Sequence, residues 1–194
     1  IEIDPTHVRA RLNRASIHMA NEDAQAALDD ANVLLELAPS LALAKLRKAE
    51  ANMMLSNWEE AKDDLEQIVE DAPHHHHALT QLASCFMAMD RPEKAEAPLN
   101  EALRLAPDHT EAWHQRGLLY LDWAREDAAI ADFEAAIRCD GTHLGARLRI
   151  AAIHHKAERF SEALAAWSGV LAIEPEHTVA RRRREECEMA IATI

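Results

Sequence analysis

The sequence predicts an all-α solenoid of tandem helix-turn-helix units. Three observations carry that prediction. A 34-residue period runs through the chain, each period holds two apolar patterns of helical spacing, and the composition is rich in Ala, Leu and Glu with only four glycines.

The period is marked by Pro5, Pro39, Pro73, Pro107, Gly141 and Pro175. Columns of small residues keep the same register. One is Ala10, Ala44, Ala78, Ala112, Ala146 and Ala180; a second is Ala27, Ala61, Ala95, Ala129 and Ala163; a third is Ala15, Ala49, Ala83, Gly117 and Ala151. Small side chains at fixed helical positions let neighbouring backbones approach. Larger apolar columns complement them, such as Leu35, Val69, Leu103, Ile137 and Leu171. Within one period, residues 110–123 place Trp113, Gly117 and Tyr120 on one helical face, and residues 127–139 do the same with Ala129, Ile130, Phe133, Ala136 and Ile137. Proline cannot continue a helix, so each anchor ends the second helix of its unit. The residue after each anchor is Thr6, Ser40, His74, Asp108, Thr142 or Glu176; four of these are preferred N-caps and are expected to start the next helix.

This unit resembles the tetratricopeptide repeat, whose pattern runs W-x2-L-G-x2-Y, A-x3-F, A, P. Residues 110–143 match it through Trp113, Gly117, Tyr120, Ala129, Phe133 and Ala136; they depart at Arg116, where the family prefers Leu, and at Gly141, where it prefers Pro. Elsewhere the alanines persist, while Leu65, Leu99 and Trp167 stand in for Phe133. The resemblance implies five repeats, 8–41, 42–75, 76–109, 110–143 and 144–177. Residues 1–7 are then the end of a preceding repeat, as in an excised piece of a longer protein. Residues 178–194 form a C-terminal capping helix, with Arg181, Arg184, Glu185 and Glu188 making its outer face polar. The family's arrays are right-handed superhelices whose concave face is lined by the first helices.

Composition narrows the function. The net charge is −13, which disfavours nucleic acid because phosphate neutralisation dominates that affinity. No apolar run is long enough to insert in a membrane, and no signal peptide is visible. Cys85, Cys139 and Cys187 lack CxxC spacing and read as small buried residues, compatible with a reducing compartment; a cytoplasmic location is the expectation. The run His74 to His77 falls in register at a repeat joint, so it reads as polar turn residues and neither as a tag nor as a metal site. His75 belongs to the column His7, His75, His109, His143 and His177, at the first turn of each first helix. Protonating that column is expected to weaken the array at acid pH, since a cation there opposes the helix dipole.

No catalytic constellation stands out. Ser16, Ser84 and Ser161 lie within helical patterns, carboxylates are spread over second helices, and no cofactor, no metal and no enzymatic activity is expected. The resemblance points instead to a groove that takes a peptide or helical segment. Carried over by register, its sixth positions are Asn13, Arg47, Gln81, Gln115, Arg149 and Arg183. Amide and guanidinium heads suit two-pronged gripping of a backbone or carboxylate. Its twelfth positions include Met19, Met53 and Met87, adaptable apolar contacts. Groove positions hold Arg9, Arg47, Arg149, Lys156, Arg182 and Arg183 against Glu50, Glu111, Asp122 and Glu186, a net positive lining that favours an acidic partner segment. The carboxylate clamp of chaperone-binding relatives is not evident, because Leu12 and Ser16 stand at its positions in the first repeat. The expected function is therefore a protein-interaction scaffold. Alternatives are a self-assembly module, giving a homo-oligomer, or a substrate-recruiting part of a larger, possibly catalytic, protein.

Overall fold

The computed structural model describes residues 7–193, and the expected tail of a preceding repeat, with Pro5 and Thr6, lies outside them. The described chain is all-helical: α1 (Val8–Ala20), α2 (Ala24–Leu37), α3 (Ala42–Met54), α4 (Trp58–Asp71), α5 (His76–Ala88), α6 (Glu96–Leu105), α7 (Thr110–Asp122), α8 (Glu126–Cys139), α9 (Leu144–Lys156), α10 (Phe160–Ile173) and α11 (Thr178–Ala192). Its described residues divide into two compact units, one ending at residue 105 and the other beginning at residue 106. None of its helices is long and apolar enough to cross a membrane. The first helix of each pair has 13 residues and the second has 14, apart from α6 with 10. There Pro92 opens a short 3-10 turn, Pro92–Lys94, and Pro98 sits in the first turn of α6, where no backbone N–H is required.

The anchors act through a hydrogen-bonded turn. The N–H of Leu41, His75, His109, His143 and His177 donates to the carbonyl of Ala38, Ala72, Ala106, Asp140 and Glu174, at 3.0–3.1 Å. The anchor is the second residue of that turn and its successor the third. The successors therefore do not cap the next helix, contrary to expectation; the N-caps are one residue later, at the histidine column and Leu41. His7, His75, His143 and His177 accept the N–H of Ala10, Ala78, Ala146 and Ala180 at Nδ1, over 3.0–3.2 Å. Each cap needs Nδ1 unprotonated, since only a free lone pair accepts a hydrogen bond.

The other end of each first helix is closed by backbone alone. The residues past the caps, Glu22, Ser56, Asp90, Ala124 and Glu158, all have positive φ, from 54° to 62°. Each donates its N–H to the carbonyl three residues back, and the next residue reaches five back: Asp23 to His18, Asn57 to Asn52, Arg91 to Phe86, Arg125 to Tyr120 and Arg159 to His154. That double bond pattern satisfies the orphan carbonyls at a helix end, and its left-handed residue is usually glycine. Here none is.

The small-residue columns are buried, apart from Ala10, which is half-buried. Size is matched across each pair: Gly117 lies under Phe133, and a Cβ at 117 would come within 2.6 Å of the ring. Ala49, Ala83 and Ala151 hold the same position where the partner column has Leu65, Leu99 and Trp167. In the second unit the fourth residue of each first helix donates to the preceding anchor: Trp113 Nε1 to the Pro107 carbonyl, Arg147 to Gly141 and Arg181 to Pro175, at 2.8–3.0 Å.

Part-buried ion pairs join the helices within a pair, and the sequence reading missed them. Arg14 binds Asp30, Lys48 binds Asp64 and Arg116 binds Asp132, each partner sixteen residues on. Burial raises the carboxyl of Asp30, but Arg14 and Arg11 outweigh it and hold the group below its ordinary range. Cys85 and Cys187 are buried as expected, and desolvation pushes the Cys85 thiol up to about 11. Cys139 is instead exposed, at the C-terminal turn of α8.

Candidate functional site

The sixth-position side chains all lie on first helices, and each unit treats them by itself. In the first unit, Asn13 on α1 is exposed. Arg47 on α3 and Gln81 on α5 are brought together by Glu50: Arg47 Nη1 donates to Oε2 over 2.5 Å, Gln81 Nε2 to Oε1 over 3.0 Å, and His77 Nε2 lies 3.5 Å from Oε1. Burial raises the Glu50 carboxyl, yet bonds from His77, Gln81 and Arg47 outweigh it and keep it low and anionic. Met19, Met53 and Met87 are half-buried, whereas Met54 is exposed. The histidine run splits into separate roles: His75 caps α5 and His77 joins the Glu50 cluster.

In the second unit, Gln115 on α7 donates to Glu111 over 2.6 Å. Arg183 on α11 donates to Glu186 over 2.8 Å, and Arg182 donates to the other oxygen of the same carboxylate over 2.9 Å. Three of the cations counted toward a positive lining, Arg47, Arg182 and Arg183, thus already have a carboxylate partner. Each lies three or four residues from that partner on one helix, a spacing legible in the sequence. His155, at a twelfth position, packs edge-on against Phe160 and Trp167 and lies 3.4 Å from the Cys187 sulfur, so it belongs to the α9–α11 packing. That sulfur is fully buried, and desolvation raises its thiol with Glu186 adding to the effect, which makes it a poor nucleophile. Ser16 and Ser84 spend their hydroxyls on their own helices, donating to Leu12 and Thr80 carbonyls.

Arg149 is different. It is exposed on α9, and no carboxylate among the described residues pairs with it or with Lys156, seven residues further along the same helix. The two cations flank a cleft of about 290 Å³ lined also by Leu121, Ala124, Glu126, Ala152 and Ile153. Its floor is apolar, from Leu121 and Ile153, and Glu126 contributes the one acid. Register alone identifies Arg149, Lys156 and Leu121. Ala124 enters because the left-handed turn after α7 brings it back beside α9, where Ile153 is buried.

Comparisons with known proteins agree with this architecture. Family models described as tetratricopeptide repeat match residues 52–117 and 110–143. No curated protein matches the sequence. Among solved structures, TTC0263, a thermophilic TPR protein of Thermus thermophilus, is 22% identical over 94% of this chain and 99% of its own, with a TM-score of 0.78. YrrB, a TPR protein with an unusual peptide-binding site, is 22% identical over 94% of both chains, at 0.66. PilW, a type IV pilus biogenesis factor, is 16% identical over 95% of this chain and 86% of its own, at 0.82. At these identities the likeness is one of fold.

Proposed function

This chain belongs to the tetratricopeptide repeat family, and from that premise we propose that it is a non-catalytic interaction module whose first-helix face takes a peptide or helical segment carrying acidic side chains. The cleft beside α9 supports this reading. Two unpaired cations bracket an apolar floor, so a segment with an apolar side chain between or beside carboxylates would satisfy both. Arg47, Gln81, Gln115 and Arg183 are held by carboxylates of this chain and contribute shape and hydrogen-bonding capacity more than net charge. In the first unit, Asn13, Met19, Met53 and Met87 hold the equivalent register positions on its own first helices.

Selection from a random peptide library on the immobilised chain tests the proposal. Selected peptides are expected to carry Asp or Glu near an apolar residue. Their affinity should fall about tenfold, or about 1.4 kcal/mol, in Arg149→Glu/Lys156→Glu, and should weaken with added salt. Arg47→Ala should change it less. Equal binding by the charge-reversed variant and the parent sinks the cleft as the working site.

Self-assembly is a second reading. It is favoured by Val179 and Met189 on α11, which are 54% and 63% exposed. A mass in sedimentation that rises with concentration, and returns to the monomer in Val179→Lys/Met189→Lys, is its expected signature. A constant monomer mass excludes it.

A further inference from the structure

We propose that Glu111, His114 and His143 form a binding site for a first-row divalent cation, zinc foremost. One ligating atom from each of the three lies within 4.8 Å of the others. Glu111 and His114 are three residues apart on α7, so both project from one helical face; this Glu-x-x-His spacing recurs where a helix supplies two ligands to one metal. His143 comes from the start of α9. Two imidazoles and a carboxylate suit zinc, and three protein ligands leave a fourth position for water.

His114 supplies an independent reason. Both of its ring nitrogens are buried, and neither has a hydrogen-bond partner among the described residues. Glu111 Oε1 lies 4.0 Å from Nδ1, too far for a hydrogen bond. The ring stands 5.6 Å from that of Phe133 and 4.8 Å from that of His143. The two imidazoles approach this closely beside a glycine: a Cβ at residue 145 would lie 3.3 Å from Cε1 of His143 and 3.4 Å from Nε2 of His114. An imidazole whose two nitrogens are buried and lack a hydrogen bond calls for a partner, and a cation placed between the three groups would provide it. Gln115, donating to Glu111, already orients the carboxylate from outside. Zinc bonds of about 2.1 Å bring ligand atoms to about 3.3 Å apart, so the cluster must contract. Glu111 is exposed, and its contact with Gln115 would shift as its carboxylate moved toward the two imidazoles.

The site carries a built-in exchange. His143 Nδ1 accepts the Ala146 N–H, so the neutral ring has its proton on Nε2. Coordination through Nε2 transfers that proton to Nδ1 and releases the cap of α9; coordination through Nδ1 displaces the amide directly. Either way, metal and cap compete for one histidine.

Calorimetric titration of the metal-depleted full chain with zinc chloride tests the proposal. One equivalent is expected to bind and to raise the melting temperature. Glu111→Gln and His143→Asn should each weaken binding at least tenfold. Asparagine is a good N-cap, so His143→Asn removes the ligand while keeping α9 closed. His74→Asn/His77→Asn should bind as the parent does, which separates this site from the histidine run. In the parent, zinc should also speed hydrogen exchange at the Ala146 amide. Binding unchanged by Glu111→Gln and His143→Asn, binding lost in the His74/His77 variant, or no binding at all overturns the proposal and leaves His114 a packing residue.

Discussion

Asp132→Ala is expected to lower the free energy of unfolding by about 3–5 kcal/mol, while Arg116→Leu/Asp132→Ala should stay within about 1 kcal/mol of the parent or exceed it. Asp132 is 4% exposed and takes two bonds from one guanidinium, Nε to Oδ2 at 2.7 Å and Nη2 to Oδ1 at 2.9 Å. The same guanidinium lies over the rings of Trp113, at 4.9 Å, and Tyr120, at 5.6 Å. Removing the carboxylate leaves that cation in an apolar setting with its best acceptor gone. Removing both members takes away the desolvation cost together with the attraction, and these nearly cancel.

The chain itself supplies the precedent for the double replacement. Positions equivalent to Arg116 and Asp132 are Leu82 and Pro98 in the third pair and Ile150 and Ala166 in the fifth. The same joint is thus made with ions in three pairs and without them in two. Urea unfolding followed by tryptophan fluorescence, on parent, both single variants and the double, gives the coupling energy. Near-additive losses in the double variant, a coupling energy near zero, would mean that the two side chains contribute separately and not through their pairing, and that the apolar solution does not transfer to this pair.

How far the sequence reaches is visible in these joints. The period, the helix pairing and the buried columns are legible because each rests on one residue type recurring at a fixed spacing, as with Ala44 through Ala180. The ion pairs carry the same kind of signal, a cation and an aspartate sixteen apart in three repeats, but it emerges only when two columns are read together. The N-caps are misassigned by one residue because Ser, Thr and Asp after the anchor look like caps, while the turn that uses them as its third residue is a backbone feature. The candidate site divides in the same way. Register places Arg149 and Lys156, yet whether a cation is free depends on neighbours such as Glu50 and Glu186. His114 and His143, twenty-nine residues apart in the sequence, have no local pattern to link them.

Glycine at all five left-handed positions should raise stability by about 2.5–5 kcal/mol in total, on the order of 0.5–1 kcal/mol each. A side chain in that conformation costs about 1–2 kcal/mol through its Cβ, and part of the relief is lost because glycine also frees the unfolded chain. Residues 22, 56, 90, 124 and 158 are 34 apart and share no bonds, so the gains should add. They should not be equal. Asp90→Gly should gain least, since aspartate tolerates the left-handed region, and Ala124→Gly, Glu22→Gly and Glu158→Gly most. Ala124 also lines the cleft beside α9, where glycine removes one methyl from its wall. Thermal melts of the five single variants and the combined one check both the sum and the order. A flat or falling series would mean that these side chains support their loops in some way that outweighs the strain. A rise in that order would show that the repeats close their first helices against intrinsic backbone preference. In that case the small columns and paired helices must supply enough packing to hold five strained turns in place at once.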